Sequence, residues 1–368
     1  MSGSGPVGIG IIGAGVISET YLENLQSFPD VKVHVIGDLF EELAAKRAAQ
    51  FGIESSGGVE TVLAHPDVEI VVNLTIPTAH VPVALQAIAA GKHVIGEKPF
   101  SLDRASGLDL LAQAADAGLR VGCAPDTFLG AGLQAALRAI RRGDIGIPLT
   151  ALTLMQSPGP ESWHPNPAFL FQEGAGPLFD IGPYYLTTLV QAFGSVLRVA
   201  ASGSTAHPKR VIGSGPKAGE EFDVTVPSHV GALLQFSEGA TSQSVWSFDS
   251  AIRRQGFVEI AGTEGTLVLP DPNNFDGDVV IHRRGSDGPE VLESTVASST
   301  RGTGVLDLAR AIREDRPHRA SGELAYHVVD TMVSVSESIT TGEFVSVGST
   351  APVVPPLPEG WDPHESTL

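Results

Sequence analysis

The chain has 368 residues, 42% of them hydrophobic and 18% charged, with a formal net charge of −19. That charge repels nucleic acid and anionic membrane surfaces, and neither is expected as a partner. The single cysteine, Cys123, excludes an intramolecular disulfide and a cysteine-rich metal site. The opening residues MSGSGPVGIG carry neither a basic leader nor a long apolar one, and no run of about 20 apolar residues follows. A cytoplasmic location and, at roughly 150 residues per domain, two domains are the expectation.

The apolar run Val7 to Ile12 predicts a first strand, followed by Gly13-Ala14-Gly15-Val16-Ile17-Ser18 and a helical pattern of Tyr21, Leu22 and Leu25. Strand, G-x-G-x-x-S and helix in that order form a dinucleotide-binding signature. Gly13 permits the tight turn, and Gly15 lets the backbone approach a pyrophosphate at the helix N-terminus beside Val16 and Ile17. Ser18 stands where the third glycine is usual and is small enough for close packing. A second strand, Val31 to Gly37, ends at Asp38, 25 residues past Gly13, where a carboxylate can accept ribose hydroxyls. A helix cap is the alternative role for Asp38. Leu39-Phe40-Glu41-Glu42 offers no base for a 2′-phosphate, which favours NAD over NADP.

Helices over Leu43 to Phe51 and Val59 to Ala64 lead to a buried strand, Glu69 to Leu74, and the turn Thr75-Ile76-Pro77-Thr78-Ala79-His80. A helix from His80 to Ala90 stops at Gly91, a natural C′ residue. The short strand His93 to Ile95 then runs into Glu97-Lys98-Pro99, with Pro99 ending it. A lysine at the C-terminal end of a strand lies where open α/β sheets bind ligands, although an isolated Glu-Lys-Pro also suits a surface ion pair. His80 reads as a packing or capping residue. Leu108 to Ala117 and Leu119 to Cys123 close an alternating strand–helix region that predicts a parallel sheet.

Beyond Ala124-Pro125-Asp126 the texture changes. An amphipathic helix, Gly132 to Arg142, precedes strand patterns at Leu149–Met155, Val196–Ser202, Val230–Phe236, Thr241–Phe248, Phe257–Ala261, Thr266–Leu269 and Val279–His282, which predict a large, mostly antiparallel sheet. Helices are expected from Val305 through Arg313 and over Leu324 to Thr340. The expected division is 1–126, 127–350 and a proline-rich tail over 351–368, draped or disordered. A glycine-rich turn leads into a helix placing Asp180 and Tyr184 four residues apart on one face, with Tyr185 turned toward the core. Trp163 could stack on a sugar ring while His164 and Asn166 bind hydroxyls, with a subunit contact as the alternative. His34, His65, His207, His229 and His282 are scattered without ligand spacing, so no metal is expected.

GIIGAG, the TIPTAH turn and GKHVIGEKPF, in that order over residues 7 to 125, resemble the glucose–fructose oxidoreductase/inositol dehydrogenase/rhizopine-catabolism (Gfo/Idh/MocA) family. The resemblance implies an N-terminal Rossmann domain, a C-terminal α+β substrate and oligomerisation domain, and a homo-oligomer, dimer or tetramer. It implies that Lys98 is catalytic beside the nicotinamide, with Thr75, Ile76, Pro77, His80 and Glu97 in the cofactor pocket. The family commonly carries Asp-x-x-x-His on the second-domain helix, whereas this chain has Tyr184 at the histidine position, as in its glucose–fructose oxidoreductase and dihydrodiol dehydrogenase branches. Tyr184 is then the proton donor or acceptor, Lys98 holds the substrate oxygen and Asp180 keeps Lys98 protonated. The implied reaction is NAD-dependent hydride transfer at a secondary alcohol or ketone of a sugar or cyclic polyol. A sugar-sensing regulator and a glycosidase using held NAD for transient oxidation share the fold and form the alternatives.

Overall fold

The protein is described by a computed structural model; the described residues are 5–297 and 299–368. The chain divides into two compact units, one of Met1–Gly130, Thr295–Tyr326 and Leu357–Leu368, the other of Ala131–Ser294 and His327–Pro356. This differs from the contiguous division expected from composition. Residues near position 310 and the end of the tail return to the first unit, drawn by buried charge. Arg310 donates to Asp30 at 2.8 Å, and the same carboxylate accepts from the backbone of Thr367 at 3.0 Å and of Leu368 at 3.1 Å. Arg313 forks onto Glu69 at 2.8 and 2.6 Å.

The first unit contains β1 (Val7–Ile12), α1 (Val16–Leu25), β2 (Val31–Gly37), α2 (Glu41–Phe51), β3 (Ser55–Gly57), α3 (Val59–Leu63), β4 (Ile70–Asn73), α4 (His80–Ala89), β5 (His93–Gly96), α5 (Arg104–Asp116) and β6 (Val121–Cys123). Its six strands form a parallel sheet in the order β3-β2-β1-β4-β5-β6. Every residue of β1 and β4 is buried, as expected for strands covered on both faces. The strand order reverses direction between β1 and β4, and there the loops following both strands meet. A side chain at Gly13 (φ +110°) would lie 2.6 Å from the Leu74 carbonyl, so only glycine fits this turn. Helix α5 starts at Arg104, ahead of the expected Leu108, because Asp103 accepts the Ser106 N–H at 2.9 Å and caps it.

The second unit is built on α6 (Ala131–Arg142), β7 (Pro148–Gln156), α7 (Gly176–Phe193), β8 (Val196–Ser204), β9 (Lys209–Val211), β10 (Glu221–Asp223), β11 (His229–Phe236), β12 (Thr241–Ser247), β13 (Arg254–Gly262), β14 (Gly265–Leu269), β15 (Val279–Arg283) and β16 (Glu290–Leu292). Three further elements follow: α8 (Thr303–Arg313) in the first unit, α9 (Gly322–Thr341), within which the division falls, and β17 (Val345–Ser346) in the second. The large sheet runs β16-β15-β14-β13-β7-β12-β11-β8-β17 and is antiparallel except where β7 pairs parallel with β12. Strict alternation of burial along β11 leaves Val230, Leu234 and Phe236 in the core, on the side where α7 packs. The short strands β3, β9, β10, β16 and β17 escaped the sequence pattern. They are too brief to show alternation, and β3 is Ser-Ser-Gly. Among the described residues no helix is long and apolar enough to cross a membrane.

Candidate active site

At the C-terminal edge of the parallel sheet, the turn after β1 is shaped for a phosphate. Gly15 precedes α1 in an extended conformation, no side chain caps that helix, and a Cβ at Gly15 would meet nothing within 4 Å. The first-turn N–H groups and the helix dipole therefore face an open surface, with Val16 90% exposed and Ile17 half-buried beside it. Ser18 is fully buried and its hydroxyl donates to the Gly15 carbonyl at 2.6 Å, which locks the turn from within. Asp38 accepts from Ala14 N at 2.7 Å and Phe40 N at 2.9 Å, so the acid that ends β2 is held against the glycine turn. These groups suit a dinucleotide: an anion-receptive helix end, backbone open to close approach, and an adjacent carboxylate. Sequence reading missed Arg47 of α2, which donates to the Gly15 carbonyl at 3.3 Å and pairs with Glu19 at 3.0 Å. It lies nine positions after Asp38, beyond the base-free stretch Leu39-Phe40-Glu41-Glu42.

The loops after β4 and β5 are tied by His80. Its ring nitrogens lie 3.0 Å from the Thr75 carbonyl and 2.8 Å from the Pro99 carbonyl, and Asn73 holds Thr75 through its backbone and hydroxyl. His80 is thus a buried brace between the Thr75-Ile76-Pro77 turn and the Lys98–Pro99 turn, whose peptide is cis. Ile76 is 68% exposed at the sheet edge, where Thr75 and Pro77 are half-buried. Glu97 looks inward. Tyr21 donates its hydroxyl to Glu97 at 2.8 Å, the Lys98 N–H donates to the other carboxylate oxygen at 3.2 Å, and Arg301 lies 4.0 Å away. Burial, then the charges of Glu97 and Asp126, hold the Tyr21 hydroxyl well above its ordinary range, so it stays a donor. Lys98 itself is half-buried. In sequence Tyr21 is only part of an apolar helix face, and nothing local points to Arg301.

In the second unit, Gly182 fixes the rotation of α7. A side chain there would meet Leu178, Met332 and Trp246, so this face lies against the core. At about 100° per residue, Asp180 and Tyr184 project roughly 160° and 200° round from Gly182, together on the opposite side. Tyr185 points inward, as its hydroxyl accepts the Gly256 N–H at 2.8 Å. Asp180 is half-buried and Tyr184 buried. The loop before α7 is pinned by Arg210, which is 7% exposed. Its guanidinium binds Glu161 and Asp249, donates to the Pro158 and Phe248 carbonyls at 3.2 and 3.1 Å, and sits 4.7 Å over the Phe171 ring. On that anchored loop Trp163 is 62% exposed and meets His164 edge-on at 5.6 Å, and His164 meets Phe169 at 5.5 Å. The expectation of scattered histidines fails for two of them, since His34 and His65 come ring to ring at 5.5 Å in the first unit.

Residues 7–124 match the family model described as oxidoreductase family, NAD-binding Rossmann fold, and residues 133–268 match the Gfo/Idh/MocA C-terminal domain. Levoglucosan dehydrogenase of Pseudarthrobacter phenanthrenivorans is 28% identical over 255 residues, a match spanning 64% of this chain and 64% of that protein's length. The 1,5-anhydro-D-fructose reductase of Ensifer adhaerens is 25% identical over 344 residues, 92% of this chain and 98% of the reductase. Among solved structures, an NAD-binding oxidoreductase from Klebsiella pneumoniae has a TM-score of 0.81 at 25% identity, covering 93% of this chain and 99% of that one. Levoglucosan dehydrogenase in complex with NADH and L-sorbose gives 0.82 at 22% identity, with coverage of 93% and 99%, which supports the same fold. With both domain models accounting for most of its length, the chain belongs to the Gfo/Idh/MocA family of NAD-binding oxidoreductases.

Proposed function

We propose that the protein is an NAD(H)-dependent oxidoreductase acting on a secondary alcohol or ketone of a sugar or cyclic polyol. The observation that carries the reading is the sheet edge of the first unit. There the Asp38 carboxylate is fixed 2.7 Å from the Ala14 nitrogen of the glycine turn, and the same edge bears the Glu97-braced Lys98. Bound NAD(H) would accept or supply the hydride. Gly13, Gly15, Val16 and Ile17 would hold its phosphates, Asp38 its adenosine ribose, and Thr75, Ile76, Pro77 and Glu97 would shape the rest of the pocket. Tyr184 would take or return the hydroxyl proton, Lys98 would stabilise negative charge at the reacting oxygen, and Asp180 would assist Lys98. Trp163 and His164 would contact the sugar. The relatives are named as dehydrogenases and reductases, which favours net turnover over a sensing protein or a glycosidase with retained NAD. The family resemblance also supports a cytoplasmic homo-oligomer.

A panel of sugars and polyols read by NADH absorbance tests the reaction. For an accepted substrate, Tyr184→Phe should lower kcat by about 10²–10⁴-fold, the usual range for a lost general acid or base. Lys98→Met should do comparable damage while leaving NADH affinity within a few fold. Full activity in both variants would remove Lys98 and Tyr184 from the chemistry. Absence of any NAD reduction across the panel would count against the proposed reaction itself.

A further inference from the structure

The opposite edge of the first unit's sheet carries a cluster that the dinucleotide chemistry does not use. His34 is the extra residue of a bulge in β2, since Ile9 pairs with Val33 and Gly10 with Val35. The loop ahead of β4 crosses beside it. A Cβ at Gly8 would lie 1.7 Å from the Asp67 carbonyl and 3.2 Å from the His34 ring, so glycine in β1 is what admits this close approach. The loop is also tied down. Lys92 donates its ammonium to the His65 carbonyl at 3.1 Å and the Val68 carbonyl at 2.7 Å, and Glu69 N donates to the Gly8 carbonyl at 2.8 Å. The result is that one ligand-type atom each from His34, His65 and Asp67 lies within 4.8 Å of the others.

We infer that His34, His65 and Asp67 form a binding site for a divalent transition-metal ion of the zinc type. Two imidazoles and one carboxylate are a donor set suited to zinc, nickel or copper and poorly suited to magnesium or calcium, which take oxygen ligands. Ligands about 2.0 Å from a tetrahedral zinc stand roughly 3.3 Å apart, so atoms now within 4.8 Å of one another would draw together by about 1.5 Å at most. The half-buried histidines sit on a strand and on a braced loop, while exposed Asp67 leaves a way in from solvent. Nearby charge is mixed: Lys32 opposes a cation at His34, whereas Asp67 and Glu54 favour one. A bound ion would join the β2 bulge to the loop before β4, where the His34 and His65 rings already meet.

Titration calorimetry with zinc chloride, on full-length protein free of any affinity tag and stripped with chelator, tests the site. A single saturable zinc ion per chain is expected, with magnesium chloride giving no competing binding. His34→Gln, His65→Gln and Asp67→Asn should each weaken zinc by about tenfold or more. Asp67 is exposed, so its variant tests the site in a chain whose core is untouched. The control His207→Gln should leave binding unchanged. Zinc affinity equal to wild type in these three variants would overturn the assignment. So would the absence of saturable binding up to about 1 mM zinc, where an interaction is worth only about 4 kcal/mol.

Discussion

Asp38 spends two hydrogen bonds on the chain itself, to Ala14 N and Phe40 N, and an ionised carboxylate has about four acceptor positions. The remaining positions suit a pair of ribose hydroxyls and repel a 2′-phosphate. Arg47 brings positive charge to the same turn, but its guanidinium is paired with Glu19 and the Gly15 carbonyl. NADH should therefore bind more tightly than NADPH in a fluorescence titration, and Asp38→Ala should narrow the gap by weakening NADH. Equal affinity for the two cofactors in the wild-type protein would show that Arg47 turns to the phosphate. Asp38 was legible because its chemistry is local: strand end, distance from the glycine turn, acid. The brace on Lys98 was not. Tyr21 carries its hydroxyl on what reads as an apolar helix stripe, and Arg301 reaches Glu97 only through the folded chain. Periodicity reports which face is buried and says nothing of the polar atom at the end of a buried ring.

The elements themselves were mostly readable, since long periodic runs such as β11 and α7 carry their own signal. Boundaries moved where a cap decided them, as Asp103 does for α5. What the pattern could not show was ownership of an element. Helix α8 follows a run of strands in sequence yet belongs with the first unit, and the end of the tail, without periodicity, is held there by hydrogen bonds to Asp30 and Arg310. Asp30 is fully buried and accepts from Arg310 and from the last residues of the chain. Burial alone would raise its pKa, but the hydrogen bonds from Thr367, Arg310 and Leu368 together lower it. The charged form is thus favoured by folding: its contribution is complete above the ordinary carboxylate range near pH 4 and is lost as pH falls through the lowered value. Asp30→Ala should cost about 3–5 kcal/mol in urea unfolding, because it strands the Arg310 charge in the interior. A chain ending at Pro356 should lose part of that amount. Unchanged stability in both would mean that the tail and α8 are held by apolar contacts alone.

For the whole molecule, a net charge of −19 suggests that mild acid should help, because protonating carboxylates relieves self-repulsion. The buried histidines predict the opposite. Burial and then the charge of Arg120 lower His93 to about 4, and burial lowers His327 to about 4 against the opposing pull of Asp330. His327 shows why in its bonds: its Nε2 accepts the Val196 N–H at 2.9 Å, a role that a protonated ring cannot fill. In the unfolded chain the same ring takes a proton near pH 6.5. Each such group therefore stabilises the fold fully above about pH 6.5 and progressively less down to about pH 4, where its loss is complete. Between pH 7 and pH 5 the shift at His327 corresponds to about 2 kcal/mol of lost stability, at 1.36 kcal/mol per unit. Urea unfolding of the wild-type chain and of His327→Gln at both pH values isolates this contribution. The variant keeps a non-titrating acceptor for Val196 in its amide oxygen, and should lose about 2 kcal/mol less on moving to pH 5. If the two proteins lose stability in parallel, His327 is not the group that acid protonates on unfolding. The acid sensitivity would then belong to His93 and the paired carboxylates of the first unit.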